Sequence, residues 1–138
     1  MNKRSSGILM HISSLPGKYG IGDFGEGAYR FVDFLHKANQ KNWQILPLGV
    51  TGFGDSPYQC FSAFAGNPYF IDLDEFLGLN YLKQEDIDNY RLNKVNNKVD
   101  YGLLFENKMA LLRTAYKNAR SDLLDKLENF YVANLDWL

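Results

Sequence analysis

Phe53, Asp55, Ser56 and Tyr58 stand together inside the stretch Trp43–Asp72 and carry the clearest chemistry in the chain. A sugar offers apolar C–H faces and a rim of hydroxyls, so aromatic rings beside a carboxylate and a hydroxyl suit its recognition. Phe61, Phe64, Tyr69 and Phe70 add rings just downstream, and any one ring of the stretch, Phe53 and Tyr58 included, reads more simply as ordinary core; the loop as a whole is too rich in glycine and polar residues to be only core. Other chemistries in the same stretch meet obstacles. Ser56 lacks the G-x-S-x-G elbow that presents a nucleophilic serine, and Pro57 follows it directly. Asp55, Asp72 and Asp74 could pair as the carboxylates of glycosyl chemistry. More simply, Asp55 bonds turn backbone, and Asp72 and Asp74 orient the chain into a helical turn. Cys60 is the lone cysteine, so no internal disulfide forms, and with His11 and His36 it shows no metal-ligand spacing.

Gly20–Gly25 matches G-x-G-x-x-G at the start of a predicted helix, which raises a dinucleotide site. Two features oppose it. The glycines do not follow a strand at once, and no Asp or Glu lies between Asp33 and Asp55 to bind a ribose. The 138 residues, 46% hydrophobic and 15% aromatic, suffice for one domain with a real core. The formal charge of −1 comes with no basic stripe, so nucleic acid is not an expected partner. Lys3 and Arg4 precede only the short apolar run Ile8–Met10, and no stretch approaches the roughly 20 apolar residues of a membrane span. A cytoplasmic protein without cofactor or metal is expected.

The elements that must position these residues follow from periodicity. Residues 7–12 and 43–46 read as two short buried strands, the second stopped by Pro47. Between them a helix is predicted over 23–39, capped by Asp23 with Glu26 completing a capping-box-like pair. Phe24, Ala28, Phe31, Leu35 and Ala38 give it one apolar stripe. Strand, helix and strand make a parallel βαβ unit with a right-handed crossover. A long loop, 47–68, leaves the second strand, which is where α/β folds place their chemistry. Beyond it the pattern predicts a short strand at 69–72, a helical turn at 74–79 and a short helix at 83–90. A polar seam at 91–99 comes next, then a helix from Asp100 to about Asn118 and another over 120–133 with Ser121 as its cap. The uncapped, apolar end Asp136–Leu138 reads as a truncation.

Six blocks of the sequence resemble one family. Arg4-Ser-Ser-Gly-Ile-Leu9, Ser14-Leu-Pro-Gly17, Tyr19-Gly-Ile-Gly-Asp-Phe-Gly25, Trp43-Gln-Ile-Leu-Pro-Leu48, Gly54-Asp-Ser-Pro-Tyr-Gln59 and Ser62-Ala-Phe-Ala-Gly-Asn-Pro68 are similar, in this order, to the amino-terminal region of the 4-α-glucanotransferases. These are the amylomaltases or disproportionating enzymes of glycoside hydrolase family 77. The resemblance covers residues 4–74 well; residues 75–138 share helical character and the closing Trp-Leu. Val50 stands where the family often has proline, Cys60 where it has serine, and Phe53 where many members have a tyrosine linked to a secondary glucan site. Phe53 keeps a ring face there without the hydroxyl.

The resemblance implies an α/β fold: the opening strands and helices of a (β/α)₈ TIM barrel, with part of a helical insertion. Residues 1–74 would hold the first βαβ unit with the sugar-binding loop 47–68, and residues 75–138 a mainly helical insertion segment. The implied activity is transfer of α-1,4-glucan segments between maltooligosaccharides through a covalent glycosyl-enzyme. Ser56 and Tyr58 would line the sugar cleft, Tyr58 stacking on the donor sugar at the cleavage point, with Phe53 and Asp55 beside them. The family's catalytic carboxylates come later in its sequence, so no residue here inherits a catalytic role. The isolated chain is expected to be inactive and prone to self-association. The alternatives are a stand-alone, non-catalytic carbohydrate-binding module and the disfavoured nucleotide-binding α/β domain.

Overall fold

The computed structural model describes residues 4–94 and 97–138. Gly7–Leu9 forms β1 and Asn42–Gln44 forms β2; they pair in parallel, with Ile8 opposite Trp43. Helix α1, Glu26–Lys37, lies between them in the chain, so the predicted βαβ unit is present. Both strands are shorter than predicted. The Met10 amide still donates to the Gln44 carbonyl at 3.0 Å, but Ile12–Ser14 then winds into a 3₁₀ turn that buries Ile12. β2 therefore runs out of partner before Pro47 is reached, and the proline is not what ends the ladder. The strands are not buried on both faces either: Leu9 is 55% exposed. Among the described residues the sheet has two strands and α1 packs on it, which leaves apolar strand surface bare.

α1 starts later than predicted. Gly25 is its N-cap, and Asp23 accepts the Gly25 amide at 3.0 Å instead of forming a capping box with Glu26. A side chain at Gly25 would not fit, since a Cβ there would lie 2.5 Å from the Asp72 carboxylate. Ala28 and Leu35 are buried, and Phe31 meets Trp43 edge-on with ring centroids 4.9 Å apart. Ala38 lies outside the stripe and is exposed. Asn39, at φ 58°, ends the helix, and the Gln40 amide reaches back to the Leu35 carbonyl at 2.9 Å.

The predicted strand at 69–72 is a 3₁₀ turn, Pro68–Phe70. Proline has no N–H for a ladder but suits a helical first position, and the Asn67 side chain caps the turn by accepting the Tyr69 amide. α2, Leu73–Gly78, is capped by Asp72, as expected, and α3 spans Gln84–Asp88. The seam at 91–99 includes residues 95 and 96, which lie outside the described residues. Asp100 accepts the Leu103 amide at 3.1 Å and opens α4, Tyr101–Leu103. A π-helical stretch, Leu104–Lys108, leads straight into α5, Met109–Ala133. The two predicted helices at 100–118 and 120–133 are thus continuous. No Gly or Pro interrupts residues 118–121, Ala119 stays on the buried face, and the Ser121 hydroxyl bonds Asp122 rather than capping. One core cluster gathers Ile12, Ile21, Ala28, Phe70 and Leu104; a second gathers Tyr19, Leu73, Leu82, Ile87 and Leu111. Both draw on residues from either side of residue 74.

Lys108 is buried without exposure, and its Nζ donates to the Tyr69 carbonyl at 2.7 Å. Burial pushes its ammonium down to about 8, against the pull of the Asp23 and Asp72 carboxylates. In the unfolded chain the amine titrates near 10.5. Below pH 8 both states hold the proton; between the two values the unfolded state holds more. The contribution of Lys108 to stability must therefore rise with pH across that window and be least favourable below it. Urea unfolding of the native chain and of Lys108→Met at pH 7, 8, 9 and 10 should show the difference moving in favour of the native chain as pH rises. A difference that stays flat would mean the ammonium is not desolvated.

Candidate functional site

The loop 47–68 is pinned at its feet and stiffened at its tip. The Asn67 amide donates to the Leu48 carbonyl at 2.7 Å, and the buried Asn67 side chain reaches the Gly49 carbonyl at 3.5 Å. Gly49 packs so closely that a Cβ would meet the Ser62 carbonyl at 2.8 Å. Above the feet, Thr51 and Cys60 form an antiparallel bridge, with Gly52 N–H donating to Gln59 at 3.2 Å. Two turns make the tip. In the first the Asp55 amide donates to the Gly52 carbonyl at 3.1 Å, and Gly54 takes φ 88°, a conformation open to glycine. In the second the Gln59 amide donates to the Ser56 carbonyl at 3.0 Å, with Pro57 in the leading central position, where its fixed φ pre-sets the bend. The Cys60 thiol adds a bond to the Pro57 carbonyl at 3.1 Å.

This backbone decides where the predicted site residues point. Phe53 projects wholly into solvent and Tyr58 is 74% exposed, so neither ring belongs to the core. Asp55, at φ 54°, and Ser56 are half-buried. Asp55 lies close enough to Tyr69 and Tyr101 for its charge to act on both: burial raises each phenol first, and the Asp55 carboxylate adds to it. The two rings are 6.4 Å apart, and Tyr101 lines one concave surface with Ser13, which follows β1. The loop leaving β2 and the turn leaving β1 thus converge on one tyrosine pair, at the carboxyl ends of the parallel strands. The loop's far flank rests on the turn that follows α5, where Phe64 lies 5.7 Å from Trp137, ring centroid to centroid.

The other candidate carboxylates are occupied. Asp72 caps α2, and Asp74 accepts hydrogen bonds from Lys18 at 2.6 Å and from the Tyr19 hydroxyl. Those two bonds hold the Asp74 carboxyl below its usual range. Asp23 is buried at the start of α1, where desolvation raises its carboxyl. Neither His11 nor Cys60 joins a group able to hold a metal among the described residues. Of the glycine motif 20–25, Gly20 takes φ 82° against the Leu92 carbonyl, so it shapes a loop rather than a nucleotide cradle. Sequence reasoning passed over Lys108 and Tyr101. The signal for Lys108 was its place on the apolar stripe Leu104, Lys108, Leu111, Ala115, where a cation has to find a partner.

Fold and loop together define an α/β chain whose exposed rings and half-buried polar groups sit where parallel strands end. A family model described as 4-alpha-glucanotransferase, of glycoside hydrolase family 77, matches residues 10–138. A 4-alpha-glucanotransferase of Clostridium butyricum is 55% identical over 94% of this chain and 26% of its own length. One from Streptococcus pneumoniae is 50% identical over 100% of this chain and 28% of its own length. Among solved structures, an amylomaltase from Streptococcus agalactiae in complex with acarbose shares the fold at a TM-score of 0.89 and 47% identity, over 95% of this chain and 27% of that one. The chain belongs to the 4-alpha-glucanotransferase family and takes the α/β fold of the matched part of that amylomaltase. It spans about a quarter of the length of the relatives it matches.

Proposed function

We propose that this chain is the amino-terminal part of an enzyme that transfers α-1,4-glucan segments between maltooligosaccharides through a covalent glycosyl-enzyme. Residues 1–74 carry the βαβ unit and the sugar-contacting loop 47–68; residues 75–138 form a mainly helical insertion segment that backs it. Tyr58 stacks on the donor sugar, Ser56 and Asp55 hydrogen-bond its hydroxyl rim, and Phe53 offers a ring face at the edge of the cleft. The catalytic carboxylates come from outside this chain. The observation that carries this reading is the loop itself: a stiff, Pro-led turn at the carboxyl end of β2 that holds a tyrosine in solvent, where an apolar ring has no structural use.

No helix among the described residues is long and apolar enough to cross a membrane, which accords with a cytoplasmic enzyme. Its substrates are glucans, without nucleic acid as a partner. Exposed apolar groups on α1 (Tyr29, Val32, Phe34) and along α5 (Leu127, Phe130, Tyr131) favour self-association of the chain when it is made alone. Fusing the chain in frame to the remaining three quarters of the Clostridium butyricum relative tests the function. The fusion should convert maltotriose into glucose and longer maltooligosaccharides. A folded fusion that leaves maltotriose untouched would contradict the proposal.

A further inference from the structure

We propose that Lys108 is a positioning residue for the sugar-contacting loop, acting from the π-helical stretch through the Tyr69 carbonyl. This inference rests on the function proposed above. The relay is short and continuous. Lys108 Nζ holds the Tyr69 carbonyl at 2.7 Å; the Tyr69 amide holds the Asn67 side-chain oxygen at 3.0 Å; the Asn67 amide holds the Leu48 carbonyl at 2.7 Å. Leu48 and Asn67 are the two feet of the loop that ends in Ser56 and Tyr58. The feet hold the loop together with the Phe64–Trp137 contact on its far flank, and Lys108 fixes one of the feet from the π-helical stretch.

Three features mark this as more than a stray buried cation. Lys108 closes the π-helical stretch Leu104–Lys108, and such an extra helical residue is unusual enough to be found mostly at functional sites. The side chain has no solvent exposure, so its ammonium exists in the fold only because it is held by that carbonyl and by the nearby Asp23 and Asp72 charges. Those two carboxylates sit at the starts of α1 and α2. One cation thus ties the π-helical stretch to the turn Pro68–Phe70, within the field of the carboxylates at the starts of α1 and α2. Methionine would fill the same volume and leave the core packed, so stability alone does not call for a lysine here.

The test uses the active fusion, so loss of this inference is separable from loss of the proposed function, which the unsubstituted fusion reports. Lys108→Met should lower kcat about tenfold while KM changes less than about twofold, because a small misplacement of the stacking ring costs reaction geometry more than affinity. In a Tyr58→Ala background the same substitution should have no further effect on kcat, since the ring it positions is gone. Lys108→Gln, shorter and still a donor, should behave like Lys108→Met, as it cannot reach Tyr69. A lowered Tm with unchanged kcat and KM, or losses that multiply in the double variant, would overturn the proposal. Should neither variant fold, hydrogen exchange in the unsubstituted fusion decides. The Asn67 and Tyr69 amides must then exchange as slowly as those of α5, and fast exchange would break the relay.

Discussion

Tyr58→Ala in the active fusion is expected to lower kcat/KM about a hundredfold, and Tyr58→Phe only a few-fold. A ring laid on a sugar's C–H face is worth on the order of 1–2 kcal/mol once water is excluded. Holding the sugar in line for attack adds about another 1 kcal/mol, which appears in kcat rather than in KM. The phenylalanine variant keeps the ring and gives up the hydroxyl alone. In the chain by itself Tyr58 is 74% exposed, so its stacking energy emerges only where the rest of the enzyme closes over it. Steady-state kinetics on maltotriose, with circular dichroism to confirm the fold, gives the answer. Unchanged kinetics in a folded Tyr58→Ala variant would take Tyr58 out of the site.

The loop 47–68 was legible in the sequence as a loop, and the geometry of its tip obeys local rules. Gly54 in the left-handed region and Pro57 leading a turn are dictated by backbone sterics within a few residues. The parallel pairing of β1 and β2 was legible for a similar reason: a 12-residue helix between two short apolar runs leaves little other geometry. What escaped depends on distant partners. Asp23 reads as a helix cap, yet it bonds Gly25 in a crowd formed with Asp72, forty-nine positions away (72 − 23). Residues 69–72 look like a strand by composition, but Pro68 and the Asn67 cap turn them into a 3₁₀ turn. The continuity of α5 through Ser121 was hidden because serine suits a cap as well as an exposed helix face, and only packing chooses between them. Lys108 was visible as an anomaly on an apolar stripe, while its partner, a backbone carbonyl, leaves no trace in sequence.

The second large effect is complete loss: the isolated chain should produce no glucose from maltotriose. Retaining glycosyl transfer needs a nucleophilic carboxylate and an acid/base carboxyl about 5–5.5 Å apart across the anomeric carbon. Of the aspartates weighed for that role, Asp72 caps a helix and Asp74 is bound by Lys18 and Tyr19. Asp23 is buried on Gly25. Asp55 remains in the loop, alone. Affinity should be weak as well, since one open stacking ring barely offsets the entropy of holding a flexible sugar. Glucose and longer maltooligosaccharides appearing from the purified chain, free of host transferase, would place the catalytic pair within these residues.

The claim at the centre is that the loop Phe53–Tyr58 forms part of the sugar cleft. A crystal structure of the fusion with acarbose, the compound bound in the Streptococcus agalactiae amylomaltase, tests it most directly. The account predicts a sugar ring of acarbose within about 4 Å of the Tyr58 ring face and the Ser56 hydroxyl within hydrogen-bond reach of it. Acarbose well ordered in the fusion, with Tyr58 and Ser56 both left in solvent, would contradict it.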